Sequence, residues 1–258
     1  MTEEKASREI CEFSIQLNDT CQRYCSRDQQ EIFSIQFRKQ LNGMINRLMN
    51  LSFRDLEKYR IPNCDSNCLS GHSIRTSLIS ICLGKALGLG ASALYQLGLG
   101  AILHDIGKLL LPREILDKPD RLSTIEYEVI KTHSELGYEM VKNEIWLPNA
   151  CAQIVNNHHE RLNGSGYPNN LWGNQIHLNE RIVGVADVFD AMTSKRNYRK
   201  TLSYYNAYTE VQKESPHLLD HKVVLALGNI IEEFMGLNTE SASKLKNRRE
   251  TCRYPCVK

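Results

Sequence analysis

The chain has 258 residues, a formal net charge of +2, 41% hydrophobic and 24% charged residues, a composition typical of globular proteins with a core of their own. The near-neutral charge gives no sign of a nucleic-acid polymer or a membrane surface as partner. No apolar run approaches the roughly 20 residues of a membrane-spanning helix. Met1–Ile10 also lacks the apolar core of a signal peptide, so we expect a cytoplasmic protein.

Nine cysteines are many, and the number is odd. Without a signal peptide, reduced thiols are expected rather than a disulfide framework. Three pairs have the spacing C-x-x-x-C, which places both thiols on one face of a helix: Cys21/Cys25, Cys64/Cys68 and Cys252/Cys256. Such pairs could bind a soft metal, but small, buried or indifferent thiols are the simpler interpretation.

A helical N-terminal segment is predicted over residues 1–65. It carries no motif, and its role is unknown. Apolar residues recur every three or four positions from Ile32 to Met49, which indicates an amphipathic helix. Its apolar face packs either on the rest of the chain or on a second copy, as a homodimer. The break at Ile61–Asn63 is the preferred boundary, followed by a main domain over 66–238 and a basic polar tail over 239–258.

The main domain begins with two helical segments. The first starts near Ser70 and carries His72 in its first turn. The second runs from about Ala91 into His104-Asp105 and is predicted to stop at Gly107. A histidine beside an aspartate offers a nitrogen and a bridging carboxylate, a set that suits first-row metals.

Further histidines lie on the next two helical segments. Ser123 and Glu126 form a predicted capping box, and the helix that they start is expected to carry His133 about two and a half turns further on. Another helix, over roughly 150–157, ends in His158-His159. Adjacent histidines point about 100° apart on a helix, so both can bind only if two metals, or a metal and a substrate, lie between them.

Residues 161–178 lack helical periodicity, and a loop of this length in a compact domain is usually functional. The alternative is a buried turn that merely packs Tyr167 and Trp172. Asp187 follows within an apolar helix over 179–194, where a carboxylate is costly unless it is paired or bound to metal. The basic run 195–199 is either a solvated helix end or a phosphate clamp. No strand pattern is evident, so an all-α fold is predicted.

Potential ligands thus come from five helical segments: His72, His104, Asp105, His133, His158, His159 and Asp187. Each could have an independent structural role. As a set they favour a multi-metal site between the facing helices of a bundle.

The order and spacing of these residues resemble the HD-GYP family of the HD phosphohydrolase superfamily. The resemblance runs from Gly71 to Leu227 and rests on these blocks: G-H-S-I-R, H-D-I-G-K, I-L-D-K-P-D-R-L-S, T-H-S-E-L-G, N-H-H-E-R-L-N-G-S-G-Y-P and R-I-V-G-V-A-D-V-F-D-A-M-T-S-K-R-N-Y-R. It implies an all-α HD-type bundle with a central metal site and a long GYP loop. Members hydrolyse the bacterial second messenger cyclic di-GMP with two or three iron or manganese ions.

Carried over position by position, the resemblance makes all seven residues metal ligands, with Asp105 as the bridge. It assigns Lys108 to catalysis and substrate binding, and assigns Tyr167, Arg196 and Arg199 to substrate binding. The family's additional carboxylate ligand falls on Cys68, a thiol with no second oxygen to bridge. We therefore expect two divalent ions, iron or manganese, rather than three. The family's G-x-x-F-D-P block is degraded to 215–220.

The resemblance implies hydrolysis of cyclic di-GMP to pGpG, and further to GMP. For such a reaction the ligand set predicts attack by a hydroxide that bridges the two ions. Lys108 with Arg196 or Arg199 would neutralise charge that builds on the phosphoryl oxygens. A second hypothesis is a non-catalytic module that senses the dinucleotide or docks a partner such as a diguanylate cyclase domain. A third keeps the enzyme but changes the substrate to cyclic GMP-AMP or another cyclic dinucleotide.

Overall fold

Helices make up nearly all regular structure in the computed structural model, which describes residues 10, 12–13, 33–58, 69–194 and 201–236. The principal helices are α1 (Ile35–Leu48), α2 (Leu69–Ala86), α3 (Ala91–Leu103), α4 (Thr124–Lys131), α5 (His133–Val141), α6 (Asn149–Asn157), α7 (Leu178–Thr193), α8 (Tyr204–Glu214) and α9 (His221–Met235). Within these ranges the extended structure is one isolated bridge between Asn163 and Trp172. The all-α prediction is confirmed.

Helix α2 lies at the centre and packs against α1, α3, α7 and α9. Its apolar residues Ile74, Leu78 and Leu83 are fully buried. Small hydroxyl residues, among them Ser73 and Thr76, are buried as well, and the Ser77 hydroxyl donates to the Gly98 carbonyl of α3 at 2.9 Å. Small polar side chains suit these buried positions, because their hydroxyl groups can hydrogen-bond to nearby backbone where no water reaches.

The apolar face of α1 packs within the chain. Phe37, Leu41 and Ile45 belong to the same core as α2 and α3. Arg38 lies 5.3 Å from the centre of the Trp146 ring and forms an ion pair with Glu144 at 3.4 Å. Of the two alternatives predicted for this helix, the structure shows packing on the rest of the chain. A homodimer through α1 stays a prediction.

Two helix boundaries differ from the sequence prediction. α3 ends at Leu103, and Gly107 lies inside a 3-10 helix over Ile106–Leu110. His133 does not continue the helix that starts after Ser123, because α4 ends at Lys131 and His133 begins α5. The Thr132 hydroxyl donates to the Val129 carbonyl at 2.7 Å, which competes with helix continuation.

The capping box predicted at the start of α4 is present: Glu126 N–H donates to the Ser123 hydroxyl, and Ser123 N–H donates to Glu126. Helices α6 and α7 lie where the sequence predicts helices. Helix α8 was not predicted, because its apolar positions are few and Ala207, Tyr208 and Val211 alone are buried. No helix in the described part of the chain has the length and apolar character to cross a bilayer.

Candidate metal centre

Side chains that can bind metal converge between the helices in two groups. The groups are Asp105, His133, His158 and His159, and His72, His104 and Asp187. Within each group, one potential ligand atom from every residue lies within 4.8 Å of all the others. The structure therefore brings together all seven residues that the resemblance assigns to metal.

Asp105 connects the two groups, because its two carboxylate oxygens face different partners. Oδ1 lies 3.3 Å from His133 Nε2 and 3.9 Å from His158 Nε2. Oδ2 lies 3.3 Å from His104 Nε2 and 3.6 Å from His72 Nε2. Ligands bound to one ion at about 2.1 Å are roughly 3–4 Å apart, so this carboxylate has the geometry to bridge two ions.

Asp187 makes a second connection across the site. Its Oδ1 lies 3.1 Å from His72 Nε2 and 4.0 Å from His104 Nε2, whereas its Oδ2 lies 3.8 Å from His159 Nδ1. The α7 position predicted to be costly for a lone carboxylate is therefore surrounded by histidines.

Backbone carbonyls orient three of the histidines. The Nδ1–H group of His104 donates to the Ala101 carbonyl, and that of His133 donates to the Ile130 carbonyl, both at 2.7 Å. His158 Nδ1–H donates to the Val155 carbonyl at 3.0 Å. Since a carbonyl can only accept, each Nε2 is left with its lone pair directed into the site, the tautomer that a metal ligand requires.

Burial and neighbouring charges shift the pKa values of the histidines in different directions. Burial lowers the pKa of His133 to about 4, and it lowers the pKa values of His158 and His159 well below the ordinary range. Burial also acts to lower the pKa of His72, but hydrogen bonds with Asp187 and Asp190 outweigh it and raise that pKa to about 9. Without a cation, a proton on His72 Nε2 faces Asp187.

Two atoms at the centre show that the residues fit a cation. His104 Nε2 and Asp105 Oδ1 are buried and have no hydrogen-bond partner, although such atoms normally cost about 1–3 kcal/mol each. Burial acts to raise the pKa of Asp105, but neighbouring positive charge, which includes the Lys108 ammonium, holds it well below the usual value, so the carboxylate is charged. A divalent ion would satisfy both atoms and the charge.

Asp190 and Arg75 support the site and were missed by the sequence interpretation. Asp190 Oδ2 accepts from His72 Nδ1 at 2.7 Å, and Arg75 donates to Asp190 through Nε at 2.8 Å and Nη2 at 3.2 Å. The signal was spacing, since Arg75 follows His72 by three positions and Asp190 follows Asp187 by three. On a helix, that spacing places each pair on one face.

The loop over 161–178 forms one wall of the site. The Tyr167 ring packs 4.7 Å from the His159 ring and 6.4 Å from the His133 ring. A Cβ on Gly166 would lie 2.4 Å from the Glu160 Cα, so only glycine allows this approach. Burial raises the pKa of Tyr167, which keeps its hydroxyl protonated.

Glu160 anchors this loop and was also missed. Its carboxylate accepts the Asn169 N–H at 2.7 Å and the Leu171 N–H at 3.0 Å. The residue is buried, so these charge-assisted bonds are stronger than at the surface. The sequence shows only a glutamate after a histidine pair. It does not indicate that this side chain accepts hydrogen bonds from backbone N–H groups nine and eleven residues later.

Lys108 lies at the opening of the site. Its Nζ is 2.6 Å from Asp105 Oδ2, and its side chain is 28% exposed. It therefore contacts both the carboxylate that joins the two groups and solvent. Arg196 and Arg199, which are assigned to phosphate, and Cys68 lie outside the described residues.

Several known proteins are similar to this chain. A cyclic di-GMP phosphodiesterase of Thermotoga maritima is 32% identical over 182 residues, which cover 70% of this chain and 46% of that protein. The 3'3'-cGAMP-specific phosphodiesterase 1 of Vibrio cholerae is 41% identical over 51% of this chain and 30% of its own length. The chain thus spans less than half of either relative.

A solved structure of Bd1817, a HDG"Y"P protein from Bdellovibrio bacteriovorus, has the same fold with a TM-score of 0.66 at 19% identity, covering 85% of this chain and 70% of that one. The family model described as HD domain matches residues 59–223. The chain therefore belongs to the HD-domain family.

Proposed function

We propose that this chain is a metal-dependent phosphodiesterase that hydrolyses cyclic di-GMP to linear pGpG and then to GMP. One observation carries the proposal: Asp105 directs its two oxygens at two separate groups of histidines, with Oδ1 buried and without a hydrogen-bond partner. The names of the relatives from Thermotoga and Vibrio support a cyclic dinucleotide as substrate.

We assign two divalent ions, iron or manganese, to the two groups of ligands. Bound ions would supply an activated water and would polarise the phosphoryl oxygens. The chain itself provides the fixed imidazole orientations, since backbone carbonyls hold the Nδ1–H groups of His104 and His133. It also provides a site from which bulk water is largely excluded, because His104, Asp105 and His158 are buried.

Lys108 and Tyr167 are the substrate contacts that the geometry supports. Lys108 lies at the opening beside Asp105, where its ammonium can neutralise charge that develops on the phosphate. Tyr167 keeps its proton, so it can donate a hydrogen bond to a phosphate oxygen but cannot act as a base. Arg196 and Arg199 are assigned to the phosphate by the family resemblance.

A second candidate substrate is cyclic GMP-AMP. The observation that favours it is the 41% identity to a Vibrio cholerae enzyme specific for 3'3'-cGAMP. The two substrates share the phosphodiester that the site would cleave and differ in one nucleobase. Contacts outside the metal centre must therefore separate them.

The test uses the chain purified without oxygen and loaded with iron or manganese. Cyclic di-GMP, 3'3'-cGAMP and cyclic di-AMP are supplied separately, and the products are resolved by chromatography. We expect pGpG to appear first. Asp105→Ala should abolish turnover, and His217→Ala, which changes an exposed histidine outside the site, should not.

Two results would contradict the proposal. Tight binding of a dinucleotide by the loaded wild-type chain with no product would favour a sensor or docking module. Hydrolysis of 3'3'-cGAMP alone would replace the substrate but keep the reaction class.

A further inference from the structure

Helix α4 runs along the edge of the metal centre and contributes no buried residue to the core. Its last residue, Lys131, precedes His133 by two positions. Tyr127 on the same helix is 47% exposed. A helix with so little burial is not explained by packing alone, because most helical stability comes from burying an apolar face.

Lys131 lies between two aromatic rings. Its Nζ is 5.0 Å from the centre of the Tyr127 ring and 5.7 Å from the centre of the Tyr167 ring. The Tyr167 ring in turn lies 4.7 Å from the ring of His159. The side chains of His159, Tyr167, Lys131 and Tyr127 therefore form a continuous row from the buried ligands to solvent.

This row matches the part of the substrate that the metal centre leaves unbound. A cyclic dinucleotide has two phosphodiesters and two nucleobases, so cleavage of one phosphodiester leaves the second outside the metal centre. We propose that Tyr127 and Lys131 bind this outer half, Tyr127 by stacking on a purine and Lys131 by pairing with the second phosphodiester. The inference rests on the proposed function and adds to it the residues that select a dinucleotide.

The chemistry of both contacts is ordinary for nucleotides. Aromatic rings stack on nucleobases whatever their sequence, and lysine binds phosphate as a point charge. Lys131 also pairs with Glu128 at 2.7 Å, but Glu128 is 59% exposed. Exposed ion pairs contribute little, so a phosphate can replace this partner.

The chain contains a matched comparison for this arrangement. The pattern Tyr-Glu-x-x-Lys at 127–131 recurs at 138–142. Lys142 pairs with Glu139 at 2.6 Å and lies 5.9 Å from the Tyr138 ring. Tyr167 is the difference, because it places Lys131 beside the site. Local helix geometry alone therefore does not distinguish the two lysines, whereas substrate binding should.

The experiment compares kcat/KM for cyclic di-GMP with kcat/KM for bis(p-nitrophenyl) phosphate, a small phosphodiester without purines, in the metal-loaded chain. Tyr127→Leu should lower the first value about 5- to 150-fold and lower the second far less. Tyr127→Phe keeps the ring and should restore most of the loss. Lys131→Gln should cost about tenfold, and Lys142→Gln should match the wild type.

The outcomes separate the inference from the function on which it rests. If the wild-type chain hydrolyses bis(p-nitrophenyl) phosphate but none of the cyclic dinucleotides, the proposed function is wrong. If it hydrolyses a dinucleotide and Tyr127→Leu and Lys131→Gln resemble Lys142→Gln, only the inference is wrong. Equal losses for both substrates would also overturn it, because they would indicate general damage to the site.

Discussion

At the scale of single residues, Lys108 separates metal binding from catalysis. A charged ammonium cannot bind a cation, so Lys108→Ala should leave the metal content unchanged. Loss of a charge-assisted contact to the phosphate should lower kcat/KM by about 2–4 kcal/mol of transition-state stabilisation. Lys142→Ala is the control, since Lys142 also pairs with a carboxylate at 2.6 Å and is 35% exposed. An unchanged kcat/KM would remove Lys108 from the mechanism.

The structure reveals a role for Asp190 that the sequence interpretation missed. Its carboxylate holds His72 at 2.7 Å and is itself held by Arg75. Asp190→Asn keeps the size but weakens this support. Loss of a group that holds a metal-binding histidine in place typically costs about 10- to 100-fold in metal affinity. Titration of the metal-free wild type and variant with manganese would measure this loss of affinity.

The control for that titration is Asp220→Asn. Asp220 also pairs with an arginine, Arg181, at 2.8 Å, but it caps the start of α9, away from the site. Equal manganese affinity for both variants and the wild type would contradict a supporting role for Asp190.

The residues that could and could not be predicted differ in a physical way. His104-Asp105 and His158-His159 are informative in the sequence, because such residues at family spacing have few purposes other than binding metal. Asp190 and Glu160 are single carboxylates whose partners are not their sequence neighbours: Arg75 in one case, and the backbone at Asn169 and Leu171 in the other. Only the fold reveals that their surroundings are buried.

At the scale of elements, Gly107 explains how Asp105 reaches His133. A Cβ at position 107 would lie 2.0 Å from the His133 carbonyl oxygen and 2.5 Å from the Gly137 nitrogen. The sequence suggested a helix end at this glycine, but its role is to let the 3-10 helix contact α5 closely. The packing of one segment on another, rather than local turn geometry, requires glycine there.

Gly107→Ala should therefore destabilise the protein. The added methyl group meets backbone atoms that cannot rotate away, and such overpacking typically costs about 1–3 kcal/mol. The urea midpoint of unfolding should fall, and bound metal should decrease because Asp105 moves with the 3-10 helix. Gly43→Ala is the control: nothing lies within 4 Å of a Cβ there, and replacing a glycine inside α1 should stabilise by about 0.5–1 kcal/mol. A Gly107→Ala variant as stable as Gly43→Ala would refute the close-approach argument.

At the scale of the whole molecule, the ligands tie together helices that are distant in sequence. His72 lies on α2, His133 on α5 and Asp187 on α7. Their convergence could be predicted from the all-α bundle and the family resemblance. The break at Thr132 and the presence of helix α8 could not be predicted. Both of those depend on weak local preferences that tertiary contacts override.

Because one centre joins these helices, metal should stabilise the entire fold. His104 Nε2 and Asp105 Oδ1 have no hydrogen-bond partner within the described part of the chain, so a bound cation would satisfy both. A ligand that binds only the folded state at 100 times its Kd adds about 2.7 kcal/mol. At about 2–4 °C per kcal/mol, manganese should raise the Tm of the chelator-treated protein by roughly 5–11 °C. Asp105→Ala should abolish this rise, and His217→Ala should retain it. If manganese raised the Tm of the wild type and of Asp105→Ala equally, the stabilising ion would be bound elsewhere.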